Sequence, residues 1–529
     1  MPGEEERLSD YVAARAADAL GNPGDAARLM AELLRQRPSD ASLRQRAVGA
    51  AIEAGDIPLA LSLGGRTGFA NASLELRMLL LAEELRRGKT RNALEMVQDR
   101  QGELDSTFLL PFVDAWGRAD RRDGKAIDVL AAVGEQHPLG RQVDEHRALI
   151  LLKLKRPADA RPFADRALAN AGGRADRLRM AFADGFRRAG DTASAVAMLD
   201  AGGPALAVAR ARLDAGQDIG QAVDSSADAF GELMLGLALS VNRTNNKALA
   251  VALAQVARHA NPDNSASSLL LGLLLDDLGR GDDALKALRT IPAIDPFASQ
   301  AEDAQSRILI AEGRGKEALE RAQAQVRAVP SSDSWARLGA LQSELGDPGS
   351  AADSYARAIA LAGREVSDDE RWMLHLYRAD ALEEADRWVE SKAEIDKAMQ
   401  LSPDNALLLN FLGYGKLERG EDLDAAESMV RRASALRPED ASITDSLGWA
   451  QYKRGKVDEA IVTLQRAADK DPDQAEIREH LGDALFSAGR RIEARFAWRA
   501  ALVTVDEDDA RQRLESKLML GLTKANAAP

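Results

Sequence analysis

Apolar and small residues return along this chain at a fixed interval of 34–35 residues. The pattern is clearest over 405–473, where two successive stretches repeat each other. Leu412-Gly413 answers Leu447-Gly448, Gly420 answers Gly455, Ala426 answers Ala460, Ala433 answers Ala467, and Pro438 answers Pro472. A period of this length predicts a repeat of two short helices joined by a turn. The Leu-Gly pairs and the alanines mark the places where two helices cross, because only small side chains permit close approach there. Gly420 and Gly455 mark the end of each first helix, where a glycine takes the left-handed conformation freely. Pro438 and Pro472 stop each second helix. Asp440 and Asp473 lie just beyond, where a short acceptor suits the start of the next helix.

The same grammar runs from residue 7 to about 508. Residues 1–203 predict divergent helical repeats. The Gly-, Ala- and Asp-rich stretch 201–230 holds one short pair, so 204–229 is expected to be a degenerate repeat or hinge. Residues 230–508 predict a well-formed array, with a polar connection at 362–371. Residues 509–529 predict a capping helix, whose polar outer face a terminal repeat requires, and a tail in which Asn526–Pro529 fray. Dividing 529 residues by the period gives about fifteen units. The expected fold is all-α: an α-solenoid, wound as a right-handed superhelix of about fifteen helix pairs with a C-terminal cap.

Composition narrows the function classes. Hydrophobic residues make up 45% of the chain and can bury a continuous core, yet aromatics are only 4%, so small residues carry the helix contacts. The net charge is −14 with no basic run, which argues against a nucleic-acid partner. No apolar run reaches membrane-spanning length, so no direct membrane insertion is expected. With no cysteine there is neither disulfide nor thiolate chemistry. The acidic N-terminus, MPGEEERLSDYVAARAADAL, has no apolar signal segment. That predicts a cytoplasmic chain, or a periplasmic one if an export signal has been removed.

Catalytic patterns are missing. There is no His-Glu-x-x-His, no G-x-S-x-G and no P-loop. Gly313-Arg314-Gly315-Lys316 lacks the spacing of a phosphate loop, and Gly413-Tyr414-Gly415 lies inside a helix. The histidines (137, 146, 259, 375 and 480) are scattered, and His137 with His146 has no third ligand. No catalytic residue, cofactor or metal is expected.

The repeat spacing resembles the tetratricopeptide (TPR) repeat. The resemblance implies that the first helices line a concave face and that fixed positions of each unit point into it. Here those positions are Asn410, Tyr414 and Leu417; then Asp445, Trp449, Tyr452 and Lys453; then Glu479, Asp483 and Phe486. The first seven form the candidate partner site, mixing aromatic anchors with hydrogen-bonding groups as peptide grooves do. Nine of the eleven Trp and Tyr residues lie at or after 335, which favours this end; Trp388 and Trp498 fall at packing positions. TPR domains that clamp a terminal carboxylate place a base where this chain has Asn410, Asp445 and Glu479, so such a clamp is not expected here. Residues 410–460 further resemble the C-terminal part of large bacterial TPR proteins, including envelope lipoprotein adaptors of carboxyl-terminal processing proteases. Unlike those, this chain has no lipobox cysteine. The resemblance implies a non-catalytic scaffold or adaptor for a protein or peptide segment. The alternative is a self-assembling protein that forms homo-oligomers through its helical array.

Overall fold

The computed structural model of the chain describes residues 4–99, 105–134, 136–200, 203–363 and 366–528. The expectations for 1–3, 100–104, 135, 201–202, 364–365 and Pro529 lie outside them. The described residues form thirty α-helices and no strand. These resolve into fourteen consecutive pairs, the unpaired Pro204–Asp214 and the terminal Asp508–Leu520.

The repeat grammar has the expected physical basis. A Cβ on Gly448 would stand 2.6 Å from Leu464 Cγ, and one on Gly413 would stand 2.8 Å from Val430 Cγ1. Each glycine is where its first helix meets the second. Gly420 and Gly455 end their helices at φ 65° and 77°. Asp440 caps the next helix by accepting from the Ile443 amide at 3.1 Å. Asp473 does not: that helix starts at Ala475, with Gln474 at its cap position making no side-chain bond. Among the described residues, five non-glycine residues lie in the left-handed region, among them Arg122 at φ 59° and Asp386 at φ 58°.

The chain divides into two compact units, Met1–Val329 and Pro330–Pro529. In the first unit, contacts run beyond neighbouring repeats. Helix Lys247–Ala260 packs against Ala41–Ala54 and Leu74–Arg86, the first helices of two early repeats. It is buried on nearly all sides, as its run Ala-Leu-Ala-Val-Ala-Leu-Ala requires. His259 joins these parts, with its Nε2 2.9 Å from Glu83 Oε2 and its Nδ1 3.0 Å from Arg86 Nη1. The unit also holds a buried charge network. Fully buried Glu232 accepts from Arg177 Nε at 2.9 Å, Arg174 Nη2 at 3.1 Å and Asn264 Nδ2 at 2.8 Å, and Arg174 also binds Glu145 at 2.7 Å. Pairing on this scale offsets the desolvation of so many charges.

Over 203–230 the structure corrects one expectation. There is no short pair: helix Pro204–Asp214 stands alone and is followed by non-helical chain until Ser226. Gly216 and Gly220 turn that segment at φ 69° and 77°. Arg177 Nη1 fastens it, donating to the Gln221 carbonyl at 3.0 Å and to Gln221 Oε1 at 2.8 Å. The Gln221 carbonyl thus finds its donor on a neighbouring helix rather than in a helix of its own.

The second unit is a regular stack of five pairs and the terminal helix. Lys517 of that helix is fully buried, and its ammonium donates to Glu479 Oε1 at 2.6 Å and Asp483 Oδ2 at 2.8 Å. The tail does not fray at Asn526. That side chain accepts from the Thr523 amide at 2.7 Å and donates to Ser516 Oγ and the Gly521 carbonyl, while the Ala528 amide donates to Asp483 Oδ2 at 3.0 Å.

Candidate functional site

Between two first helices of the second unit, Asp368–Glu384 and Ala406–Glu418, lies a cleft of about 450 Å3. Its apolar walls are Leu376, Tyr377, Trp388, Leu407, Phe411 and Tyr414. A Cβ on Gly415 would stand 2.4 Å from Trp388 Cη2, so the glycine is what lets the indole lie against this helix. The polar groups are Asp380, Glu383, Asn410 and Glu418.

The electrostatics of the cleft are one-sided. Desolvation by the cleft walls, with Glu384 and Glu383 nearby, pushes the Asp380 carboxyl up to about 6. Glu383 accepts from Arg419 Nη2 at 2.6 Å, and the same guanidinium lies 4.4 Å from the Trp388 ring centre. Tyr414 O–H points out of the cleft to Glu476 Oε1 at 3.2 Å. Burial, then the charges of Glu476, Glu418 and Asp445, raise its pKa. Trp388 Nε1 donates to Glu421 at 3.0 Å. Among the described residues, the buried Asn410 Oδ1 has no donor.

The predicted site residues separate into three groups. Asn410 and Tyr414 line the cleft. Asp445, Trp449 and Tyr452 build a stack between repeats: the Trp449 ring lies 4.0 Å from His480 and 4.9 Å from Tyr452, with 1% of the tryptophan exposed. Its Nε1 donates to Glu418 at 3.2 Å, Asp445 Oδ2 lies 2.8 Å from His480 Nδ1, and Tyr452 Oη lies 2.9 Å from Ser487 Oγ. Asp445 holds the His480 pKa above its ordinary value against the effect of burial. Leu417 is buried in the core with Val430 and Leu447, and exposed Lys453 reaches over Trp449, its ammonium 5.0 Å from the ring centre. Beyond this set, Glu479 and Asp483 are covered by the terminal helix, where Arg513 and Lys517 neutralise them. Trp388 and Trp498 are buried as their positions implied. His146, buried beside Phe112, accepts from Trp116 Nε1 at 2.9 Å, and burial drives its pKa down to about 3.

Sequence reasoning missed Leu376, Asp380 and Glu383. They occupy the same frame positions one repeat upstream of Asn410, Tyr414 and Leu417. Carrying the frame one unit further, with Ala379 in place of the usual glycine, finds them.

Three family models match the chain: "TPR repeat" over residues 448–489, and "Tetratricopeptide repeat" over 247–308 and 416–468. Among curated proteins, no sequence matches. Similar solved structures include a tetratricopeptide repeat protein from Parabacteroides merdae, at 14% identity and TM-score 0.40, covering 48% of this chain and 98% of that one. The APC/C hetero-tetramer Cut9-Hcn1 aligns at 14% identity and TM-score 0.37, covering 99% and 97%. Yeast Tom70 aligns at 11% identity and TM-score 0.32, covering 98% and 96%. Among the described residues no helix is long and apolar enough to cross a membrane. With its paired helices, its 34–35-residue period and matching segments in both compact units, this chain carries tetratricopeptide repeats over 247–308 and 416–489, which support a protein-interaction scaffold in general.

Proposed function

We propose that the chain is a non-catalytic adaptor that holds a segment of a partner protein against the first helices of the Pro330–Pro529 unit. The observation that carries this reading is the aromatic cleft between Asp368–Glu384 and Ala406–Glu418, the place where Asn410 and Tyr414 remain open. In the other unit, first helices of early repeats are covered by the chain's own helix Lys247–Ala260. Trp449 and Asp445 are buried in the stack with His480, so truncating them reports on stability. The groove itself is tested at Tyr377 and Phe411. A photo-reactive phenylalanine analogue at 411 should cross-link to a polypeptide, and Tyr377→Ala should suppress that product. A product unchanged by Tyr377→Ala, or none at all, refutes the assignment.

The alternative, self-assembly, is favoured by one other observation. Ile492, Phe496 and Val503 lie on one face of helix Arg491–Thr504 and are 74%, 64% and 83% exposed. Light scattering at micromolar concentration would then show a dimer or larger species that Phe496→Glu converts to monomer. A monomeric wild type removes this reading.

A further inference from the structure

We infer that the cleft receives one cationic side chain of the bound segment, arginine before lysine; this rests on the groove reading above. The walls offer acceptors and few free donors. Two of the available donors are turned away, Tyr414 O–H to Glu476 and Trp388 Nε1 to Glu421. Two acceptors are left. Asn410 Oδ1 is buried without a donor, and no hydrogen bond or ion pair to Asp380 forms among the described residues. The buried Asn410 Oδ1 is costly to leave unpaired, Asp380 stands open to an incoming cation, and a guanidinium supplies five N–H donors and no acceptor.

The remaining chemistry agrees. Tyr377, Phe411 and Tyr414 present rings on which a flat cation stacks. The fold already uses the same arrangement at the cleft's edge, where Arg419 lies over Trp388 and pairs with Glu383. That pair neutralises Glu383. Asp380 has no such partner among the described residues, and a ligand cation there would pair with it as Arg419 pairs with Glu383. A carboxylate ligand would meet Asp380, Glu383 and Glu418 with no free base among the lining residues, and is rejected.

The test is a selection of random dodecapeptides displayed on phage against the full-length protein, in parallel with its Phe411→Ala and Asp380→Asn variants. Synthetic forms of the selected peptides are then titrated by fluorescence anisotropy. The expected result is a set of peptides that need Phe411 and share one arginine or lysine. Replacing that arginine by citrulline, or Asp380 by Asn, should weaken binding about tenfold. Peptides that need Phe411 but share no basic residue, or bind Asp380→Asn equally well, overturn the inference and leave the groove standing. Failure to recover any Phe411-dependent peptide overturns both.

Discussion

Lys517→Met tests how the array is closed at its C-terminal end. The Lys517 ammonium is fully buried between Glu479 and Asp483, whose side chains are 4% and 0% exposed. Removing it strands two carboxylates in the interior, and breaking a buried pair in this way costs about 3–5 kcal/mol. Some partners survive: Arg513 Nη2 remains 3.2 Å from Glu479, and Trp498 Nε1 and the Ala528 amide remain 2.9 and 3.0 Å from Asp483. The expected loss is therefore about 3 kcal/mol. Against it, the helix Asp508–Leu520 buries little more than Ala510 and Leu514, about 2–3 kcal/mol of apolar contact. The helix should open. Hydrogen exchange of amides in 508–520 at pH 7 should quicken by about 100-fold. The difference should shrink in acid, since protonating the two stranded carboxyls removes the charge that costs. Adding Glu479→Leu and Asp483→Leu should restore much of the protection. Exchange within threefold of wild type in Lys517→Met would show that the cation does not hold the cap.

Four shorter predictions concern other parts of the molecule. His146 is held neutral by burial, its pKa lowered to about 3. Its contribution is full above pH 6.5 and is lost as the pH falls, by about 2 kcal/mol at pH 5; thermal unfolding should show that loss, and His146→Phe should flatten it. Asp380 is raised to about 6, so its ionised form weakens the fold as the pH rises through that value. Asp380→Asn should stabilise at pH 7 by no more than about 1 kcal/mol, because the site is open to solvent, and should change nothing at pH 4; denaturant titration at the two pH values reads the difference. Arg122→Gly relieves a left-handed arginine and should add about 0.5–1 kcal/mol in the same titration. Gly448→Ala forces a methyl to within 2.6 Å of Leu464 and should cost about 1–3 kcal/mol, read as a lowered Tm.

The repeats were readable because their signals are local. A turn glycine, a crossing glycine and a stopping proline each act on the few residues around them, and the pairs they predicted at 406–436 and 441–470 are present. What sequence spacing does not carry is which inner-face residue has a second layer over it. Tyr414 and Trp449 occupy the same frame position, but His480 from the next repeat lies flat on Trp449, while Tyr414 lines the cleft. Contacts made far along the chain were equally out of reach. Glu83 and His259 meet across 176 residues, and neither neighbourhood signals it. The docked tail has the same origin: Ala528 looks featureless until Asp483 is placed opposite its amide.

The packing of Lys247–Ala260 onto Ala41–Ala54 and Leu74–Arg86 also bears on how this chain can change over generations. A stack held only by adjacent repeats tolerates duplication or loss of a unit, since each insertion makes and breaks the same interface. A stretch whose ends must meet does not, because one added pair would carry His259 out of reach of Glu83. Length variation among descendants of this protein should therefore fall in the Pro330–Pro529 array, with the number of repeats between residues 41 and 260 held constant.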